Sequence, residues 1–184
     1  MKATGVVRRI DDLGRVVIPK EIRKVHRIKE GDPLEIFTDK EGEIILKKYS
    51  PIGELTEFAS TYADTIAKTT GHIACITDKD TVIAVAGGQK KDFLEKNLSK
   101  ELEEVIENKE VFKSKENNEI AIPITQNEGR ERLYNGQVIY PIISDGDALG
   151  SVILLSKERN KKMGDVENKV AESAAGFLGN HLEV

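Results

Sequence analysis

The stretch Gly5–Lys20, GVVRRIDDLGRVVIPK, decides the fold of the first part of the chain. Two runs rich in β-branched residues, 6–10 and 15–18, flank the segment Asp11–Gly14, whose residue types favour turns. Pro19 ends the second run, since proline has no N–H for a strand ladder and suits the first position of a helix. The stretch therefore predicts strand, turn, strand and helix start.

Arginines flank the predicted turn on both sides. A two-stranded ribbon fits the major groove of DNA, and the guanidinium fork matches guanine edges and phosphates. From the pattern alone, an ordinary hairpin with a solvated basic face is an equally good interpretation, because short basic hairpins are common.

The charge of the chain is divided unevenly around a formal net charge of −4. Residues 1–50 contain 12 Lys+Arg against 9 Asp+Glu, whereas residues 51–184 contain 16 against 23. The first 29 residues alone contain 9 cations and 3 acids. A basic first part followed by an acidic remainder predicts a polyanionic partner for the first part only.

Residues 1–49 resemble the DNA-binding half of the AbrB family of transition-state regulators. The resemblance rests on the segments Thr4–Arg8, Asp12–Pro19, Glu21–Arg23, Gly31–Asp32, Leu34–Ile36 and Ile45–Tyr49. It implies a swapped-hairpin barrel, an all-β fold in which strands of two subunits interleave. Four short strands and one helical turn bury little surface alone, which is a physical reason to expect a homodimer through residues 1–50.

The resemblance assigns the binding of double-stranded DNA to five cations: Arg8, Arg9, Arg15, Arg23 and Lys24. Arg8 and Arg15 flank the predicted turn and are candidates for base contact. Arg23 and Lys24 lie on a predicted helix over residues 20–27 and are candidates for phosphate contact. Relatives often have Arg at position 24, and lysine lacks the bidentate fork, so we expect Lys24 to contact phosphate rather than bases.

Residues 51–184 are predicted to form a second domain, an α+β layer. Its predicted elements are a helix from Pro51 to Gly71, strands 73–77 and 81–86, a helix 99–108, strands 120–124, 138–144 and 149–156, and a helix 163–182. This order indicates an antiparallel sheet with helices packed on it. The domain resembles the GAF sensor domain. The cyclic-nucleotide motif and the bilin-attachment cysteine of that family are not visible in the sequence, so neither ligand is carried over.

Small residues on the first and last helices of the second domain permit close approach between subunits. They are Ala59, Ala63, Ala67, Ala171, Ala174, Ala175 and Gly176. Two separate interfaces, one in each domain, would give a homotetramer built as a dimer of dimers. The resemblance to sensor domains adds a small-molecule effector of unidentified chemistry as a candidate partner.

We expect no catalysis, cofactor or metal. His26, His72 and His181 are far apart in sequence, and metal-site spacings such as HExxH or CxxC do not occur. Cys75 lies in an apolar run, which favours a small core residue over a nucleophile. The sequence has no 18-residue apolar run and no apolar signal core near its first residues, so we expect a cytoplasmic chain without a membrane partner.

The sequence therefore predicts a DNA-binding transcriptional regulator. The resemblance over the whole chain is to AbrB-headed regulators with a GAF-like second domain, which control sporulation genes by activation or repression. It implies action at the nucleoid of the forespore. The alternative is an antitoxin of a toxin–antitoxin pair with an AbrB/MazE-like head, although its toxin-wrapping segment is usually short and disordered. A small-molecule-binding enzyme is a third class, which the lack of a catalytic residue set disfavours.

Overall fold

The computed structural model describes residues 4–114, 120–128, 134–158 and 163–182. The chain divides into two compact units, Met1–Tyr49 and Ser50–Val184, which we call the head and the body. Ser50 belongs to the body because its Oγ accepts the backbone N–H of Gly53 at 3.0 Å and caps the first body helix. Among the described residues, none of the helices combines the length and the apolar character that a membrane span requires.

The head contains one short helix and one antiparallel strand pair. Helix α1 spans Lys20–Val25, directly after Pro19, as the sequence predicts. Strands β1, Leu34–Thr38, and β2, Ile44–Lys48, pair with Leu34 opposite Lys48. These two strands also agree with the sequence prediction.

The strands predicted at 6–10 and 15–18 are wrong for the single chain. Within its described residues, neither run pairs as a strand, and the loop between them is closed by a hydrogen bond from Asp11 N to Arg15 O at 3.2 Å. A strand needs a partner for its backbone groups. The side chains that such pairing would bury stay in solvent, with Val7 85% and Val17 71% exposed.

Two turns of the head share one backbone design. We call Asp11–Arg15 the first turn and Asp39–Glu43 the second turn. In each, Oδ1 of the aspartate accepts the backbone N–H groups of the residues two and four places later, at 3.0 and 2.8 Å. The fourth residue is a glycine with a φ of 76° or 83°, a left-handed conformation that glycine adopts without strain. Position 15 of the first turn is therefore equivalent to position 43 of the second.

The body is a five-stranded antiparallel sheet with helices on both faces. Its elements are α2 Pro51–Glu54, α3 Thr56–Thr70, β3 Ile73–Thr77, β4 Val82–Ala86, α4 Lys90–Phe93, α5 Lys100–Glu107, β5 Phe112–Ser114, β6 Gly136–Ser144, β7 Asp147–Ser156 and α6 Asp165–His181. The strand order is β4-β3-β7-β6-β5. One core cluster joins the sheet to α3 and α6, and a second joins it to α4 and α5. The predicted antiparallel α+β layer is confirmed.

One body strand was placed wrongly by the sequence pattern. Residues 120–124 form no strand; instead, the edge beside β6 is occupied by β5. The Gln137 side chain explains the difference, since its Oε1 accepts the N–H of Ile122 and its Nε2 donates to the carbonyl of Ile122, both at 2.9 Å. A side-chain amide thus satisfies backbone groups that a neighbouring strand would otherwise pair.

Two glycines of α6 give a matched test of how this helix packs on the sheet. A Cβ at Gly179 would overlap the carbonyl oxygen of Ile143 on β6, whereas a Cβ at Gly176 meets nothing within 4 Å. We expect Gly179→Ala to lower the free energy of unfolding of the body by about 3 kcal/mol, at the upper end of overpacking costs. Gly176→Ala should leave it unchanged or raise it by up to about 1 kcal/mol, because alanine favours helices.

Urea unfolding of the full chain, followed by circular dichroism at one protein concentration, measures both variants. Equal midpoints for the two variants would contradict the observed packing of α6.

Candidate nucleic-acid interface

Arg15 ends the first turn and is held there by Asp11. Its Nε donates to Asp11 Oδ2 at 2.8 Å, while Oδ1 of the same carboxylate accepts the Arg15 backbone N–H at 2.8 Å. These two hydrogen bonds hold the pKa of the Asp11 carboxyl below its usual value, and the backbone hydrogen bond has the larger effect. The Arg15 side chain is nevertheless 69% exposed. Because Nε is one of five guanidinium donors, the side chain keeps hydrogen-bonding capacity for a ligand.

Arg8 lies at an apolar groove of the head with a volume of about 630 Å³. Val16, Val17, Ile18, Ile22 and Leu46 are among the residues that line it. Val16 is 53% exposed and Leu46 43%, so the groove displays apolar surface that a folded unit normally buries. Arg8 and Arg9 themselves are exposed.

Helix α1 positions the other two predicted cations. Lys24 is exposed, whereas Arg23 is half-buried. The Nε of Arg23 is buried and has no hydrogen-bond partner among the described residues. The backbone on both sides of Arg23 is anchored, since its N–H donates to Pro19 O at 3.0 Å and its carbonyl accepts the N–H of Ile28 at 2.8 Å.

The structure brings the predicted residues together only in part. Arg9 lies two residues before the first turn, Arg15 is its last residue, and Arg8 shares the groove with residues 16–18, which follow the turn. Arg23 and Lys24 lie on a separate element, α1.

Sequence reasoning missed Asp11, which it treated only as a turn former. The available signal was an aspartate that starts a turn with an arginine directly after it. It also missed Lys47 and Lys48, which line the groove. Lys48 is engaged inside the head, because its Nζ lies 3.1 Å from Asp32 Oδ2 and donates to the Arg27 carbonyl. Lys47 lies 4.8 Å from the centre of the Phe37 ring.

Two other groups of chemically active residues have structural explanations. Cys75 is fully buried. Burial, and to a smaller extent the negative charge of Glu128, raises the pKa of the Cys75 thiol, so the thiol stays neutral. Asp39, Glu41 and Glu43 place carboxylate oxygens within 4.8 Å of one another on the exposed second turn. Asp39 already accepts two backbone N–H groups there, so the turn itself explains this residue.

Comparison with known proteins identifies the family. A family model described as stage V sporulation protein T C-terminal, transcription factor, matches residues 54–183. The chain is 49% identical over 183 residues to stage V sporulation protein T of Bacillus subtilis (strain 168), covering 100% of this chain and 99% of that protein. The chain belongs to the stage V sporulation protein T family.

The head and the body also match separately. Residues 7–54 match a family model described as antidote-toxin recognition MazE, bacterial antitoxin. Over 51 residues the chain is 61% identical to transition state regulatory protein AbrB of B. subtilis (strain 168), covering 28% of this chain and 52% of that protein. The structure is similar to the GAF domain of Thermosynechococcus elongatus PixJ, with a TM-score of 0.57, 12% identity and coverage of 74% of this chain and 89% of that one. The predicted fold class, an AbrB-like head followed by a GAF-like body, is confirmed.

Proposed function

We propose that the chain is a DNA-binding transcriptional regulator of sporulation genes, acting at the nucleoid of the developing spore. The match over the full length to a family of sporulation transcription factors carries this proposal. The excess of cations in the first 29 residues is the chemical feature that fits a duplex, since phosphate contacts dominate the affinity of such proteins.

The DNA contacts that we propose use Arg8, Arg9, Arg15, Arg23 and Lys24. The exposure of Arg15 beside a fixed turn suits contact with base edges. Arg23 is half-buried on α1, and the five donors of its guanidinium match a phosphate. Lys24 is exposed one residue later and suits a phosphate as a point charge.

Arg15→Ala is expected to weaken specific DNA binding by about 1–3 kcal/mol without unfolding the head. The reason is that the variant removes the guanidinium donors, whereas the turn hydrogen bonds to the backbone stay in place. Mobility shifts of the full chain on a promoter fragment, with a parallel thermal melt, measure the two effects. Lys40→Ala, which removes one exposed cation from the second turn, is the control. A melt that shows an unfolded Arg15→Ala head would make Arg15 structural and contradict its role as a contact.

An antitoxin is the second candidate, because the MazE model matches the head. The body argues against it, since it forms a sheet with two buried cores in place of a short wrapping segment. A mobility shift on promoter DNA, compared with recovery of a small toxin in a pull-down, separates the two functions.

We propose that the head acts as a homodimer and that a dimer of dimers forms through the body. The apolar groove of the head supports the first interface. The second is supported by an aromatic cluster on α3 and α6 in which Phe177 is 48% exposed. The Phe177 ring centre lies 6.0 Å from that of Phe58 and 5.5 Å from that of Tyr62, and Phe58 stacks on His181 at 5.4 Å. The GAF-like body is also the unit that we propose to bind an effector.

Phe177→Glu is expected to raise the dissociation constant between dimers by about 30-fold or more, the effect typical of a buried aromatic anchor. A carboxylate there would be desolvated in the interface. Analytical ultracentrifugation of the full chain should show dimers for this variant and tetramers for Glu172→Lys, an exposed change elsewhere on α6. If both variants form tetramers, the aromatic cluster is not part of the interface.

A further inference from the structure

The two equivalent turns of the head share their backbone hydrogen bonds but differ in their last side chain. In the first turn the aspartate uses both carboxylate oxygens: Oδ1 accepts two backbone N–H groups, and Oδ2 accepts the side chain of Arg15 at 2.8 Å. In the second turn Oδ1 of Asp39 makes the same two backbone hydrogen bonds, but the position equivalent to Arg15 is Glu43. The turn therefore forms without an arginine, and the contact to Oδ2 is an addition to it.

We propose that Asp11 is a positioning residue for DNA reading, which sets the Arg15 guanidinium against the turn before DNA arrives. This inference rests on the proposed function. One carboxylate connects the turn backbone to the Arg15 side chain, so turn and guanidinium form a single unit. An arginine side chain loses considerable rotamer freedom when it is fixed on a ligand. Fixing it in the unbound protein removes part of that cost from the binding step.

Because Asp11 is negatively charged, its effect on the position of Arg15 can be separated from its electrostatic effect on DNA phosphates. A carboxylate on a DNA-binding surface repels phosphate, so its removal strengthens sequence-independent binding. Loss of positioning weakens only the contacts that depend on the geometry of Arg15. Replacement of Asp11 is therefore expected to lower the ratio of specific to non-specific affinity without weakening non-specific binding, whereas a purely structural role would weaken both.

Asp11→Asn is the variant that removes the contact to the Arg15 side chain while keeping the turn hydrogen bonds. Its side-chain oxygen still accepts the two turn N–H groups, while the amide nitrogen that replaces Oδ2 is a donor and cannot accept from Arg15 Nε. Asp39→Asn is the matched control, since it makes the same change of charge and shape in the second turn, where the position equivalent to Arg15 is not an arginine.

The experiment uses the full chain and two fluorescein-labelled duplexes. One is selected by the natural chain from a randomised pool, and the other is a scrambled duplex of equal base composition. Fluorescence anisotropy gives the ratio of the two affinities. We expect Asp11→Asn to lower this ratio by about 3- to 10-fold, because an exposed ion pair has a modest effect and a dimer presents two copies. Its affinity for the scrambled duplex should be equal or higher, and Asp39→Asn should keep the natural ratio.

Two further measurements extend the test, and the second needs no Asp11 variant, so the proposal stays testable if Asp11→Asn folds poorly. With Arg15→Ala as background, which has no side-chain donor for Asp11, Asp11→Asn should change the ratio by less than about 1.5-fold. In the natural chain labelled with ¹⁵N-arginine, the Nε–H of Arg15, assigned by its loss in Arg15→Lys, should exchange more slowly than that of Arg9.

An unchanged ratio in Asp11→Asn, an equal loss in Asp39→Asn, or an Arg15 Nε–H that exchanges as fast as that of Arg9 would overturn the positioning role. Failure of the natural chain to select any duplex would instead overturn the proposed function on which this inference rests.

Discussion

Raising the salt concentration from about 50 to 200 mM is expected to weaken binding of the natural chain to duplex DNA by about 10³–10⁵-fold. If each head of a dimer places three to five of its five candidate cations on phosphates, the dimer makes about 6–10 such contacts, and each releases a condensed counterion. Anisotropy titrations across a salt series measure the slope of log affinity against log salt.

Lys24 and Lys40 provide the matched pair for this prediction, since both are exposed lysines of the head. Lys24→Gln should reduce the slope by about 1 per subunit, because it removes one phosphate contact. Lys40→Gln lies on the acidic second turn and should leave the slope unchanged. A nearly flat salt dependence of the natural chain would contradict binding through phosphates, and equal slopes for the two variants would contradict the placement of Lys24.

The sequence predicted the local elements of the head and its β1–β2 pair, but not how the runs 6–10 and 15–18 are paired. Residue types alone account for α1 after Pro19 and for the turn at Asp11–Gly14, because these features depend on neighbours in the chain. The runs 6–10 and 15–18 have strand-forming side chains, but a β-ladder depends on its partner. Within the described residues no such partner is present, so local pattern could not decide this part of the fold.

The body shows the same limit at one edge. Long, strongly patterned elements such as α3 and α6 were predictable, since burial at helical spacing dominates them. The segment 120–124 has the composition of a strand, yet the side chain of Gln137 bonds the backbone N–H and carbonyl of Ile122 at its centre. The short strand β5 contains Lys113 and Ser114 and has no apolar alternation that a pattern could detect.

In the candidate site, the cations could be predicted from the sequence, but the contacts that hold them and the exposure of the surface around them could not. Arg15 is conspicuous beside a turn, but only coordinates show that the carboxylate of Asp11 reaches both its backbone and its side chain. The exposure of the apolar groove is likewise a property of the folded head. Because apolar surface of this kind is normally covered, the groove is the place to test for a subunit interface.

Val16→Asp is expected to abolish dimerisation of the head and to weaken DNA binding by more than 100-fold. Val16 lines the groove and is 53% exposed in the single chain. If a second subunit fills the groove, residue 16 becomes part of a shared apolar core. Burying an unpaired carboxylate there costs several kcal/mol, which corresponds to at least about 100-fold in association. DNA binding should fall with it, because a single head presents half of the phosphate contacts.

Thr38→Asp is the control, because it adds the same charge to the head at an exposed residue of β1. Analytical ultracentrifugation should show a smaller assembly for Val16→Asp, held only by the body, and the natural mass for Thr38→Asp. Circular dichroism of residues 1–50 should show loss of structure on dilution, since an interleaved barrel has no stable monomer. A folded monomer of residues 1–50, or a Val16→Asp chain with natural mass and DNA affinity, would show that the groove is not a subunit interface.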